Sequence, residues 1–290
     1  QSCRNGNCYV CNAQLLHGLV LQNDEPLTSG EILTCMAIPQ ADCEVFWEHV
    51  LAPNQLRQHT VACQVAACEP IGADVWQVNL RPPAGKPLRY HAGQYLLLNR
   101  PDGEATPFSI ASAPHQERTL ELHILARDPV TEALIEQMRR EGIAHVQVPF
   151  GDCHLATLPD RPLVLIAAGT GLSQMQSIIE HCLEQRFAYP IHLYWGVRHG
   201  DDLYAAVHWK RWEEQENLIL HRIVSDHPDW PGRQGMLHQA IKDDLGDLSE
   251  YEFYVSGSPP MVYGTLDALV ESGMPAAQMH ADVFAYAPRN

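Results

Sequence analysis

The chain is short of positive charge. Lys and Arg number 19 against 35 Asp and Glu in 290 residues, a formal net charge of −16. Nucleic acids and anionic membranes both recruit basic patches, so neither is expected as the main partner. The balance suits a protein that docks a basic surface to pass electrons, and equally an ordinary acidic enzyme. Long hydrophobic runs are lacking as well: no stretch reaches the ~20 apolar residues of a transmembrane helix. The opening Gln1-Ser2-Cys3-Arg4 has neither the charged nor the apolar region of a signal peptide. It also lacks an initiator methionine, as a processed, trimmed or fragmentary chain would. Internal repeats and low-complexity tracts are absent. The nine cysteines are odd in number and unevenly spread. Without a secretion signal they point to a metal site rather than a disulfide framework. The expected location is cytoplasmic, and the length allows two domains with a partial third.

The cysteines present are informative by spacing. Cys3, Cys8 and Cys11 give C-x4-C-x2-C, and a fourth follows at Cys35. This is the plant-type spacing for a [2Fe-2S] cluster, in which four thiolates hold two irons. Gly6 suits a loop that curls round a cluster and turns N–H groups toward sulfur. Four unrelated buried thiols or a zinc site are the other readings of the same residues, although zinc favours two C-x2-C pairs and only one is here. Cys43 reads as a small buried residue. The sixteen histidines, His154, His181, His208 and His238 among them, share no spacing and suggest no second metal site.

After a polar, proline-containing linker at Ala52-Pro53-Asn54-Gln55, short strand-like runs alternate with turns. The runs are Val61 to Val65, Val75 to Leu80, Gln94 to Leu98 and Leu120 to Leu125, with turns at Pro82-Pro83-Ala84-Gly85 and Pro101-Asp102-Gly103. The pattern predicts a small antiparallel β-barrel over residues 58–155, interrupted by one helix from Glu132 to Arg140. From 156 to 290 strands and helices alternate instead. Leu163 to Ala168 is a continuous apolar run, as a buried parallel strand should be. It ends in Gly169-Thr170-Gly171 and a helical pattern through Met175, Ile178, Ile179 and Leu183. Further strands are expected at Ile191 to Gly196, Leu218 to Val224 and Glu252 to Val255. Repeated βα units predict a doubly wound parallel sheet, with ligands at the C-terminal strand ends. A strand, then glycines, then a helix N-terminus makes a cradle for a pyrophosphate. Trp209 and Trp212 flank Lys210-Arg211 on a half-buried helix face.

Thr106-Pro107-Phe108-Ser109 lies after Tyr95-Leu96-Leu97-Leu98 and before Ile110-Ala111-Ser112. By themselves Phe108 reads as core and Ser109 as a strand hydroxyl. In order with Ala92-Gly93-Gln94-Tyr95, His123-Ile124 and Gly151-Asp152, the segment resembles the flavin-binding barrel of the ferredoxin-NADP reductase superfamily, where the strand reads Arg-x-Tyr-Ser or Arg-Pro-Phe-Ser. The last segment resembles the NAD(P)-binding domain of that superfamily through Gly169-Thr170-Gly171, Tyr194-Trp195-Gly196-Val197-Arg198 and Gly257-Ser258-Pro259-Pro260-Met261. It is most similar to the bacterial NAD(P)H:flavin oxidoreductase branch. The cysteine loop resembles the plant-type ferredoxin module fused to oxygenase reductases. Residues 1–57 would be the C-terminal part of such a β-grasp module plus a linker, its opening hairpin and helix not being in the chain.

The resemblance implies a three-part electron path. NAD(P)H, the substrate, would deliver a hydride to FAD (or FMN), and electrons would leave singly through a [2Fe-2S] cluster to a protein such as an oxygenase component. It implies flavin contacts at Thr106, Pro107, Phe108, Ser109, His123 and Ile124, with the Ser109 hydroxyl at the reacting edge. Gly169, Thr170 and Gly171 would lie under the pyrophosphate, Gly196 and Arg198 near the adenosine, and Gly257 and Met261 near the nicotinamide. Ser256 stands where relatives carry a cysteine beside the nicotinamide. Asp282 to Tyr286 would be a closing strand whose Phe284 covers the flavin, plain core packing being its other reading. Cys3, Cys8, Cys11 and Cys35 would be the metal ligands. Thr106 replaces the family arginine and so a charge-assisted contact to flavin phosphate. That replacement favours the alternative of an NAD(P)H:flavin oxidoreductase acting on diffusible flavin. A non-enzymatic iron-sulfur carrier or interaction subunit is the third reading.

Overall fold

The structure, a computed structural model, describes residues 3–47, 51, 55–85, 88–116, 118–204 and 208–289. The expected linker falls almost wholly outside these residues, at 52–54. The chain divides into two compact units, Gln1–Gln55 and Leu56–Asn290. No helix among the described residues is long and apolar enough to cross a membrane.

The first unit is built from short strands: β1 (Asn12–His17), β2 (Val20–Gln22), β3 (Glu25–Leu27), β4 (Gly30–Leu33), β5 (Ile38–Pro39) and β6 (Glu44–Phe46). They form two antiparallel sheets of three, ordered β4-β1-β6 and β3-β2-β5. Ala13, Leu15, Val20 and Ile32 make a small core. The register pairs Asn12 with Leu33. Cys11, just before β1, and Cys35, just after β4, are therefore brought together at one end of the ladder. Arg4, Gly6 and Tyr9 all have positive φ, which curls the loop carrying Cys3 and Cys8.

The second unit opens with β7 (His59–Gly72), β8 (Val75–Arg81), β9 (Tyr95–Asn99), β10 (Ala105–Ser109), β11 (Leu120–Leu125), helix α1 (Pro129–Glu141) and β12 (Ile143–Phe150). The strands order as β10-β9-β12-β7-β8-β11. A bridge between Ile110 and Leu122 brings the two ends of this sheet together, closing a barrel. Val78, Leu80, Leu96, Leu98, Leu122 and Ile124 fill its interior. This alternation follows from the period-two pattern of each strand. Helix α1 is longer than the apolar spacing predicts because caps extend it. Asp128 accepts the N–H groups of Val130 and Thr131 at its start, and Gly142 ends it in the left-handed conformation.

The chain then enters the parallel sheet: β13 (Leu163–Ala168), α2 (Leu172–Glu184), β14 (Ile191–Val197), α3 (Trp209–Glu213), β15 (Leu218–Val224), β16 (Arg233–Gln234), α4 (Leu237–Asp244), β17 (Glu252–Ser256), α5 (Pro259–Val270), β18 (Met279–His280) and α6 (Val283–Tyr286). The order is β16-β15-β14-β13-β17-β18. One face packs on α2, Trp195, Trp209 and Trp212, and this core runs on into the barrel through Val75, Ala92, Cys153 and Leu155. The other face is covered by α4 and α5. The closing strand expected over Asp282–Tyr286 is instead a helical turn, and the edge strand lies earlier, at β18. The Asp282 carbonyl accepts the N–H groups of Ala285 and Tyr286, which turns the chain away from the sheet.

Two histidines sit where barrel and sheet meet. Burial pushes His154 below its ordinary value, helped by the stacked ring of His91 at 4.8 Å, while Asp152 and the Gly151 carbonyl pull the other way and His280 adds to the depression. Burial also lowers His181, with His115 and His91 contributing. Both groups bind a proton more readily once unfolded. Their contribution to stability is therefore full above about pH 6.5 and is lost as pH falls toward the depressed folded values. Urea unfolding at pH 7.5 and 5.0 should show the His154→Asn, His181→Asn double variant losing less stability on acidification than the parent. An equal loss would refute the assignment.

Candidate functional site

The sheet order places β13 between β14 and β17. The chain runs outward from β13 through β14 to β16, then returns to the other side for β17. The strand order therefore switches direction at the carboxyl end of β13, where open α/β sheets bind their ligands. Here Gly169-Thr170-Gly171 turns directly into α2. The indole N–H of Trp195 donates to the Gly169 carbonyl at 2.9 Å, and the Ser173 hydroxyl to the Thr170 carbonyl at 2.8 Å. A Cβ on Gly171 would sit 2.4 Å from the carbonyl oxygen of Ser256, so only glycine allows the two strand ends to approach this closely. The Ser256 side chain is half-buried at the end of β17.

A cavity of about 660 Å³ opens over these strand ends. Of the residues picked out by sequence, it brings together Gly169, Thr170, Gly196, Arg198 and Met261. Gly171 and Gly257 do not line it. A Cβ on Gly257 would meet the Met261 methyl at 2.1 Å, so this glycine gives Met261 its place. The pattern of motifs gave no sign of the opposite wall, which comes from the barrel: Ala73, Val75, Leu125 and Arg127. Arg127 pairs with Asp74 at 3.0 Å on its own side and with Asp202 at 2.6 Å across from the sheet side. Tyr204, another lining residue, reaches back to the barrel through its hydroxyl.

That contact reassigns His123. Its ring is only 6% exposed. Nε2 lies 2.9 Å from Glu121 Oε1 and Nδ1 lies 3.0 Å from the Tyr204 hydroxyl. With the proton on Nε2, the ring donates to Glu121 and accepts from Tyr204. Glu121 also accepts from Gln176 of α2 at 2.9 Å. Burial works against the Glu121 carboxylate, but the hydrogen bonds it accepts from His123 and Gln176 hold it below its ordinary range. The His123 side chain is thus occupied at the barrel–sheet contact, and the Ile124 side chain is fully buried in the barrel core. Any flavin contact at these two positions falls to the backbone.

On β10, Thr106 lies opposite Leu98, Phe108 opposite Leu96 and Ser109 opposite Tyr95. Phe108 packs on the barrel core, Pro107 is exposed and Ser109 half-buried. The Thr106 hydroxyl oxygen and the Asn99 side-chain oxygen on the paired strand are buried without a partner among the described residues. An unpaired buried acceptor is costly, and a polar ligand would relieve it. Beyond Ser109 the surface continues through Tyr95, stacked on Phe150 at 5.8 Å, to Gly151 and Asp282. A Cβ on Gly151 would lie 2.8 Å from the Tyr95 ring and 2.9 Å from Asp282. Asp282 Oδ1 accepts the N–H groups of Asp152 and Cys153, each at 3.1 Å, and Oδ2 accepts from Gln174 at 3.1 Å. Burial pushes its carboxyl up despite these bonds. Phe284, half-buried, packs on Tyr263, ring centroids 5.6 Å apart, and against the sheet core. The open aromatic side chain of this turn is Tyr286, 64% exposed, which the sequence reading passed over.

In the first unit the four cysteines fall into two couples. Cys11 and Cys35 have Sγ atoms 3.2 Å apart. The Cys8 N–H lies 3.4 Å from Cys3 Sγ. The Asn5 N–H and then the Cys8 thiol bring the Cys3 thiol down to about 6. Among the described residues no three His, Cys, Asp or Glu side chains converge to hold one metal ion. Two couples are nevertheless the division that a two-iron cluster requires, two thiolates to each iron.

A closed antiparallel barrel beside a parallel sheet with a cavity at its switch point is an architecture that can hold a dinucleotide over the strand ends. An FAD-binding domain model matches residues 60–167 and an oxidoreductase NAD-binding domain model matches residues 165–267. The NAD(P)H-flavin reductase of Vibrio harveyi is 33% identical over 237 residues, covering 78% of this chain and 99% of that protein. Reductase component 2 of the terephthalate 1,2-dioxygenase of a Comamonas species is 27% identical over 299 residues, covering 99% of this chain and 88% of that one. The crystal structure of the Amycolatopsis cytochrome P450 reductase GcoB superimposes with a TM-score of 0.73 at 28% identity, covering 97% of this chain and 89% of that one. The chain belongs to the ferredoxin-NADP reductase superfamily and is an NAD(P)H-dependent oxidoreductase that binds FAD.

Gly171→Ala should raise the KM for NAD(P)H by at least about tenfold, because β13 and β17 must separate to admit the methyl group. Steady-state kinetics with saturating flavin would check this, and an unchanged KM would remove Gly171 from the site.

Proposed function

We propose that this protein is an electron-transfer reductase carrying electrons from NAD(P)H through FAD to a [2Fe-2S] cluster and on to a partner protein such as an oxygenase component. We assign residues 1–57 to a partial β-grasp ferredoxin module with its linker, 58–155 to the flavin barrel and 156–290 to the NAD(P)-binding domain. The observation that carries the reading is the division of the four cysteines into two close couples, Cys3 with Cys8 on a tightly curled loop and Cys11 with Cys35 across the end of the β1–β4 ladder. The relation to the dioxygenase reductase component also runs over 99% of the chain, whereas the flavin reductase leaves about a fifth of it unmatched.

In this reading Gly169, Thr170 and Gly171 offer backbone N–H groups and the positive end of α2 to the pyrophosphate. Gly196 and Arg198 border the adenosine, and Gly257, Met261 and Ser256 border the nicotinamide. Thr106, Pro107 and Ser109 line the flavin strand, with Phe108 backing it from the barrel core and the backbone of His123 and Ile124 continuing the edge. Tyr286 takes the covering role assigned from sequence to Phe284. Cys3 with Cys8, and Cys11 with Cys35, would each hold one iron, with backbone N–H groups supporting the sulfurs. When bound, the flavin accepts a hydride and the cluster carries electrons one at a time, so the protein's task is orientation and exclusion of water. No side chain needs to act as acid or base in the hydride step.

A specific observation keeps the second reading, reduction of diffusible flavin. Among the described residues Thr106 supplies a buried hydroxyl without a partner, where a cation would grip phosphate in this reading. The absorption spectrum of the purified protein separates the two. Flavin and cluster bands that bleach with NAD(P)H are expected. Colourless protein that reduces added flavin would replace the proposal with the second reading, and Cys11→Ser should lose iron and cluster absorption while keeping NAD(P)H-dependent reduction of flavin. Thr106→Arg should tighten FAD binding several-fold by equilibrium titration, since a charge-assisted bond to phosphate is gained. Equal affinity would sink the phosphate argument.

A further inference from the structure

The Cys11–Cys35 couple carries a consequence beyond ligation. Cys11 is 2% exposed at the foot of β1, and Cys35 is half-buried. Thr34 pins the pair: its N–H and its hydroxyl both donate to the Cys11 carbonyl, at 3.1 and 3.2 Å. The β1–β4 ladder fixes the chain on either side. The two sulfurs, 3.2 Å apart, need only a small approach to reach the ~2.05 Å of a disulfide bond. Cys43, the remaining thiol of this unit, is turned toward the carbonyls of Ala41 and Leu19.

We propose that Cys11 and Cys35 are a redox-modification site: in the cluster-free chain they close to a reversible disulfide under a small-molecule disulfide oxidant, and the closed form cannot take up iron. Cys35, the more accessible thiol, attacks one sulfur of glutathione disulfide as its thiolate, and one glutathione leaves. Cys11 then attacks the Cys35 sulfur, the Cys11–Cys35 bond forms and the second glutathione leaves. One disulfide is reduced, one is formed, and the two thiol protons end on the two glutathiones. The iron-loading consequence rests on the cluster reading above, but the disulfide does not.

The test uses the whole chain, stripped of iron, reduced with dithiothreitol and desalted. After incubation with glutathione disulfide, peptide mapping by mass spectrometry should find Cys11 joined to Cys35 with the loss of two hydrogens. Cys43→Ser should leave that linkage intact, and Cys35→Ser should abolish it. The linked chain should take up less than a tenth of the iron that the reduced chain takes from ferrous iron and sulfide, and dithiothreitol should restore uptake. A dominant Cys3–Cys8 linkage, or none, would overturn the proposal, as would full iron uptake by the Cys11–Cys35-linked chain. If the reduced chain also takes up no iron, the cluster reading and the loading block fall with it, and the peptide map still decides the disulfide.

Discussion

The half-buried carboxylate of Asp282 is the point on which the second unit's geometry turns. It joins three pieces of chain far apart in sequence: the end of the barrel at Asp152 and Cys153, helix α2 through Gln174, and the C-terminal turn that carries Tyr286. Gln174, itself 2% exposed, also reaches the carbonyls of Gly93 and Cys153 at 2.8 and 3.1 Å. Burial raises the cost of the charge, and the three donors offset it. Loss of the carboxylate would leave the N–H groups of Asp152 and Cys153 and one bond of Gln174 to find other partners. The glycines at 93 and 151 serve this junction. At each, a Cβ would run into Cys153 or into Tyr95 and Asp282.

This junction joins the β9–β10 side of the barrel to the parallel sheet. The β9–β10 hairpin and the Gly169-Thr170-Gly171 turn belong to different layers, yet each is one step from it: Tyr95 touches Gly151, and α2 begins at the glycine turn. The second tie, Glu121–His123–Tyr204 with Gln176, fastens the same layers on the cavity side. A hydride donor bound over β13 and an acceptor bound along β10 would thus be held in one frame, the source of the rate gain that proximity and orientation allow.

The sequence showed this frame only in outline. Period-two runs and the apolar strand Leu163 to Ala168 were sufficient for the barrel and the parallel sheet, because a repeating pattern records which face is buried. The glycine turn was legible for a related reason, since a strand, glycines and a helix start stand next to one another in the chain. The barrel wall of the cavity was not, because Ala73, Leu125 and Arg127 form no motif and meet the sheet only after folding. The contact made by the His123 side chain was hidden on similar grounds: its partner Tyr204 lies 81 positions away. Phe284 and Tyr286 are two residues apart, and only the helical turn that replaces the expected strand sends one into the core and the other into the open. The short cap-to-cap extension of α1 could have been read from Asp128 and Gly142, which flank the apolar spacing that set its predicted limits.

Thr106 and the cysteine couples pull the proposed function in opposite directions, and the number of electrons passed on at a time is where the two readings differ. A reductase of diffusible flavin needs no one-electron carrier, so two couples of oxidisable thiols, with Arg4 and Tyr9 held at positive φ in the loop that carries Cys3 and Cys8, would have no evident role in it. A reductase that feeds single electrons outward through a cluster would use that loop, and under the proposal it would accept a weaker hold on flavin. Loss of one cation at Thr106 lowers affinity without altering which atoms face one another. The thiol couples bear on the kind of chemistry, the threonine only on its grip, and the former constraint is the stronger.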